Sequence, residues 1–227
     1  MKRPLIVGLL LSVACANPGL SSPDELFVDV ARPAVVPAHA DRARVVRVGA
    51  HPVLDPNGPS AQSSALSTIV LPLFDDAVVR AIHDNVVVHG PDAYTWVGHV
   101  EGEPESEVLL SYRGAQLNGV VRRASSSFVI QPIGGGEQLI MEVAGDTLVE
   151  ADQPEQPVLD LWDIAWTAAD ADGEDPVIDV LVVYSEPVKK ALGSVEAVQA
   201  LAELAVTQAN KGLSDSLVST SFRLVAV

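Results

Sequence analysis

Five histidines, His39, His51, His83, His89 and His99, are the side chains best suited to hold a metal or move a proton near neutral pH. A helical zinc site needs two of them four apart, because residues i and i+4 share one helix face. It also needs a Glu beside the first to act as base on bound water. None of the five has a Glu beside it and a His four on. His89 and His99 fall on neighbouring predicted strands, where scattered imidazoles read as surface or hydrogen-bonded residues. Cys15 is the only cysteine, so neither a disulfide framework nor a cysteine zinc site is expected. Serine catalysis finds no G-x-S-x-G, and Ser125 to Ser127 read as a turn. Gly134-Gly135-Gly136 sits among predicted strands and opens no phosphate-binding helix. The chemistry-bearing residues thus assign no catalytic and no metal site to this chain.

Charge narrows the partners. With 30 Asp and Glu against 14 Lys and Arg, the chain carries a net charge of −16. A surface of that sign repels the backbone of nucleic acid and anionic lipid alike. No D-x-D-x-D-G loop accompanies the acidity, so it reads as solubility rather than calcium binding.

The elements that would position any site fall into blocks. Residues 1–16 read as a signal peptide: Lys2 and Arg3 precede an apolar run from Leu5 to Ala14, about ten residues, too short to span a membrane. Ala14-Cys15-Ala16 fits cleavage after Ala16. Leu11 to Cys15 also fits a lipobox, in which Cys15 would be lipidated, although Ser12 departs from its usual aliphatic residue. Export is expected either way, to the extracellular space or the cell envelope. Residues 17–65 form a Pro- and Ala-rich leader with strand-like patches at Leu26 to Val30 and Arg44 to Val48. Over 66–149 short β runs alternate with turn residues, as in an antiparallel meander or sandwich.

Residues 150–176 are an acidic, Pro-containing linker without Lys or Arg. Within it Trp162 and Trp166 stand four apart and would share one face of a short helix. From 177 the pattern changes again. Val177 to Tyr184 reads as a strand buried on both faces. Ser194 is placed to cap a helix whose apolar stripe is Val195, Val198, Leu201, Ala202, Ala205, Ala209 and Leu213, ending at Lys211-Gly212. Thr220 to Val227 follows as a second strand. The fold class expected is α+β overall: a mainly antiparallel β domain, then an incomplete α/β (βαβ) unit. Two parallel strands and one helix cannot cover both faces of a sheet, so the chain is expected to be a fragment.

Both ends of this reading resemble precursors of reprolysin-like (adamalysin-type) zinc metallopeptidases, a metzincin group, found among exported bacterial proteins. Ile178-Asp179-Val180-Leu181-Val182-Val183-Tyr184 is similar to the opening strand of that peptidase domain. Gly193, the helix from Val195 through Asn210, and Phe222 to Val227 follow in the family's order. Upstream, Trp96-Val97-Gly98-His99-Val100-Glu101-Gly102 resembles the W-x-G-x-v-x-G stretch of such propeptides. The resemblance covers about residues 66–227 and implies a propeptide followed by the start of a metzincin-like peptidase domain over 177–227. It implies zinc for the full-length enzyme, protein or peptide substrates, and a propeptide that engages its own peptidase domain. The zinc sequence H-E-x-x-H-x-x-G-x-x-H is absent, so no catalytic or metal residue is carried over. A propeptide without a free thiol would silence zinc by covering the cleft, and Asp160, Trp162, Asp163 and Trp166 are the candidates for that segment. The other class of function open to the sequence is a non-catalytic exported lipoprotein or β-rich binding module at the cell surface.

Overall fold

The computed structural model describes residues 26–31, 34–49, 67–114, 116–143 and 175–227. Cys15, Ala16 and the segment holding Asp160, Trp162, Asp163 and Trp166 lie outside the described residues. Nine strands form one antiparallel sheet: β1 (Phe27–Asp29), β2 (Arg42–Val48), β3 (Thr68–Phe74), β4 (Ala77–Gly90), β5 (Ala93–Val100), β6 (Glu103–Arg113), β7 (Gln116–Arg122), β8 (Ser127–Pro132) and β9 (Glu137–Val143). Their spatial order is β1-β2-β9-β8-β7-β6-β5-β4-β3, a meander from β3 to β9 with the two N-terminal strands added beside β9.

Alternation along these strands sends one set of side chains inward. Leu71, Leu73, Trp96, Leu110, Leu117, Val121, Phe128 and Ile140 are almost fully buried in a single core. The sheet nearly closes on itself. Side chains, not a backbone ladder, cross the gap between β2 and β3. Arg44 donates to the Pro72 carbonyl at 2.5 Å, and Arg42 donates to Asp76 at 2.6 Å while its guanidinium lies 4.1 Å from the Phe74 ring centroid. Tyr94 and Tyr112 stack inside with ring centroids 5.2 Å apart, and burial pushes both phenols above their ordinary pKa.

Trp96-Val97-Gly98 gains a steric reason here. Trp96 and Gly98 face the same side of β5, and the indole lies over the glycine. A Cβ on Gly98 would run into the Trp96 ring and the Ile82 carbonyl. Glycine at this position is what lets the buried indole lie flat along its own strand.

The C-terminal part contains β10 (Val177–Leu181), helix α1 (Glu186–Leu192), helix α2 (Val195–Asp215) and β11 (Ser221–Ala226). Ser194 caps α2, its side chain accepting from the Ala197 amide at 3.1 Å, and Glu196 places a carboxylate in the first turn, where the helix dipole favours it. The helix does not stop at Lys211-Gly212. It runs on to Asp215, where Lys211 and Asp215 pair at 2.7 Å, and the positive φ expected at a glycine falls instead on Leu217 at 58°. One interior glycine costs only about 1 kcal/mol relative to alanine, too little to end a long helix.

Three further expectations are corrected. Strands make up 54% of the described residues, which form a mostly-β, nearly closed barrel with two helices, not an α+β arrangement ending in a metzincin-like α/β opening. Strands β10 and β11 do pair in parallel, but as an isolated two-stranded ribbon. Val177, Ile178 and Leu181 are 53%, 47% and 65% exposed, so the strand read as buried on both faces is not. Its continuous apolar run carries no period that distinguishes an exposed ribbon from a covered strand.

The helix face is corrected in part, since Val198 and Ala202 of the expected stripe are buried as expected. Leu201, Ala205 and Ala209 point to solvent, whereas Ala197, Ala200, Glu203, Leu204 and Thr207 are buried. Helix α2 lays that face on the outside of β5, β6 and β7, with Leu204 against Val97 and Leu109. The barrel offers a larger apolar surface than a two-stranded ribbon, and a helix turns toward the larger burial. At the far end Gly193, at φ 91°, ends α1 with its amide on the Lys189 carbonyl and sits against Gly134 of the β8–β9 turn. A side chain on Gly193 would collide with the Gly134 backbone, so this close approach also depends on glycine.

Candidate functional site

Helix α2, strand β11 and the outer faces of β4, β5 and β6 enclose a cleft of about 810 Å³. Three residues form its polar floor. Glu203 projects from the barrel-facing side of α2 and is 2% exposed. Arg113, at the end of β6, donates to its Oε1. Thr207, one turn further along α2, is 6% exposed. Glu203 Oε2, Thr207 Oγ1 and Arg113 Nε are buried without a hydrogen-bond partner.

His89 joins this group from β4. Its Nε2 lies 2.9 Å from Thr95 Oγ1 on the neighbouring strand. Burial lowers its pKa below the ordinary imidazole value; nearby Arg113 lowers it further and Glu203 works against both. A neutral imidazole beside a hydroxyl invites comparison with nucleophilic catalysis. Thr95, however, is fully buried under α2, and a hydroxyl that no substrate can reach is no nucleophile. A further anchor lies outside the cleft, where Asn118 Nδ2 donates to the Ala197 carbonyl at 3.2 Å and ties β7 to the start of α2.

The far wall is β11. Six consecutive residues, Phe222 to Val227, line the cleft, which means that the strand presents its edge there and not one face. Asn210 of α2 grips that edge: its Oδ1 accepts from the Phe222 amide at 2.6 Å and its Nδ2 donates to the Phe222 carbonyl at 2.8 Å. One side-chain amide thus supplies the donor and acceptor that a neighbouring strand would have offered.

The histidines are dispersed. His39 is exposed on a turn, and His51 lies outside the described residues. His83 packs against Trp96 with ring centroids 5.6 Å apart, and His99 Nδ1 lies 2.9 Å from Asp84 Oδ1. His89 and His99 do sit on neighbouring strands, but at opposite ends of the β4–β5 pair. Among the described residues no three His, Cys, Asp or Glu side chains converge as metal ligands. Among the described residues the donor set does not fit a zinc ion.

The Arg113–Glu203 pair does not stand out in the sequence, although a signal is present. Glu203 lies three residues after Ala200 and four before Thr207, a carboxylate within a face of small and apolar side chains. Reading the stripe through Leu201 and Ala205 turns the wrong face inward and hides it.

The chain is similar to a peptidyl-Asp metalloendopeptidase of Xanthomonas campestris pv. campestris, with 28% identity over 141 residues. The match takes in 60% of this chain and 33% of the relative, so the chain spans about a third of that protein's length. No family model and no solved structure matches the chain. The similarity supports a relation to metallopeptidases. Among the described residues no helix is long and apolar enough to cross a membrane.

Proposed function

We propose that this chain is the N-terminal portion of an exported, reprolysin-like zinc metalloendopeptidase precursor, with the β barrel as the propeptide and α2 at the start of the peptidase part. The observation that carries this reading is the similarity to the Xanthomonas metalloendopeptidase, joined to the lack of any zinc-binding sequence in residues 1–227. Residues 1–16 direct export, Cys15 or Ala16 marks the processed end, and maturation cuts the acidic segment 150–176. Hydrolysis of peptide bonds in proteins belongs to the complete enzyme, with zinc held by residues of its remaining part. The work of this portion is to fold and to hold α2.

The packing supports that division of labour. Leu204 on Val97 and Leu109, Arg113 on Glu203, Asn118 on the Ala197 carbonyl and Gly193 on Gly134 join barrel and helices at four places. A barrel that grips the helix this closely can template it and keep it in place until cleavage.

The test is expression of the complete reading frame in an exporting host. The expected result is a secreted protein that cleaves peptide substrates, loses activity on chelation and regains it with zinc. Its mature N-terminus should fall within 150–176. A frame that ends without a zinc-binding sequence, with a purified chain that folds cooperatively and cleaves nothing, would leave the non-catalytic surface-binding module as the reading.

A further inference from the structure

The surface on which α2 meets the barrel has a small apolar centre, Leu204 against Val97 and Leu109 with Val87 and Val120 at its margin. Around that centre the contacts are polar. Arg113 of β6 donates to Glu203, and Asn118 of β7 donates to the Ala197 carbonyl. Gln208 of α2, its amide oxygen set toward Arg122 of β7, accepts from that guanidinium. Permanent interfaces resemble a core cut in half, whereas a small apolar centre ringed by polar groups marks a surface that can come apart. In a continuous chain the two sides meet at an effective concentration on the order of mM, so even a weak surface stays shut. Once the chain is cut between Val143 and Asp175, the surface alone holds them.

His89 stands at the rim of this surface. Its Nε2 lies 2.9 Å from Thr95 Oγ1, which is fully buried beneath α2. The charged groups that face the imidazole are Arg113 from β6 and Glu203 from α2. Other charges around the cleft are engaged elsewhere: Asp84 with His99, Lys211 with Asp215 and Arg223 with Asp179. Burial outweighs the pull of Glu203, so the docked imidazole is held below its ordinary pKa, and Arg113 adds to the effect. With α2 gone, water reaches Thr95 and His89, and the imidazole binds a proton near its ordinary ~6.5. Undocking is therefore coupled to proton uptake: docking is at full strength above ~6.5 and weakens as pH falls below it.

We propose that the outer face of β5, β6 and β7 is a releasable docking surface for α2: after the chain is cut between barrel and helix, the two parts stay docked at neutral pH and let go in acid. Release then needs two events, a cut and a fall in pH, and neither suffices alone. The inference rests on the reading above that the connecting segment is cut, and not on what the remaining part does with zinc.

The experiment uses the full chain with a recognition sequence for a viral protease placed within residues 150–176, cut to completion as read on a denaturing gel. Because the site is added, the outcome is read even if the complete reading frame encodes no zinc peptidase. Native mass spectrometry over a dilution series then gives the dissociation constant of the two parts at pH 7.5 and pH 5. The expected result is one complex at micromolar protein and pH 7.5, with a constant about threefold or more higher at pH 5. One proton sets a ceiling of about tenfold per pH unit. The β-sheet circular dichroism should persist at pH 5, and the parts should rejoin on return to pH 7.5. His89→Asn, with His89→Gln as a second neutral variant, should dock at pH 7.5 and lose most of the acid effect. Separate parts at pH 7.5 would overturn the docking surface. A rise of less than threefold at pH 5 would overturn the release, as would separation accompanied by loss of the β-sheet signal. An undiminished acid effect in both neutral variants would overturn the role of His89.

Discussion

At the scale of single residues, two positions carry most of what is specific to this chain. Gly98 has no room for a side chain beneath Trp96. Gly98→Ala is therefore expected to lower stability by about 1–3 kcal/mol, the usual cost of forcing extra volume into a packed core. Urea denaturation followed by tryptophan fluorescence reads both the loss and the displaced indole. An unchanged midpoint would mean that the tryptophan does not lie where described.

His89 gives the second residue-scale prediction. Its pKa in the folded chain is lowered, first by burial and then by Arg113. The unfolded chain then binds the proton more readily, so the contribution of a neutral His89 is present above the ordinary imidazole value of ~6.5 and is lost as pH falls below it. Denaturation midpoints of the native chain should drop between pH 7.5 and pH 5 by more than those of His89→Asn. Parallel pH curves for the two proteins would mean that His89 does not drive the loss.

The W-x-G spacing is visible in the sequence, but its cause is not. An indole lying over a glycine on its own strand needs the fold to show which face points inward. The Arg113–Glu203 pair is legible only in half: a lone carboxylate in an apolar helix face announces a buried partner, yet β6 lies about 90 residues away in sequence.

At the scale of elements, the choice of helix face is the most exposed claim. Leu204 is buried against the barrel, whereas Leu201, three residues earlier, is 40% exposed. Leu204→Ala should cost about 2–5 kcal/mol and Leu201→Ala less than about 1 kcal/mol, both read by chemical denaturation. The reverse order would restore the face read from the sequence. Helical periodicity finds a helix reliably at this position because Ser194 caps it and two apolar stripes run along it. It does not say which stripe meets the larger surface, since that depends on a barrel formed far upstream. Strands are more legible because alternation and turn residues are local signals.

At the scale of the molecule, the meander and the order of the last two strands are legible from pattern alone. Closure is not. The seam between β2 and β3 rests on Arg42 and Arg44 reaching Asp76 and the Pro72 carbonyl, contacts with no local pattern. The expected α/β opening fails for a related reason. A strand–helix–strand order is local, but whether it grows into its own sheet or leans on another domain is decided by the surfaces available. What results is a barrel that holds a helix, and the function proposed for it follows from that holding.

The central claim is that this chain is one part of a metalloendopeptidase precursor. It is tested most directly by producing the complete reading frame in an exporting host and measuring bound zinc together with peptide cleavage. The predicted result is about one zinc per mature enzyme, with cleavage abolished by chelation and restored by the metal. A secreted product that binds no zinc and cleaves no peptide, while folding cooperatively, would contradict it.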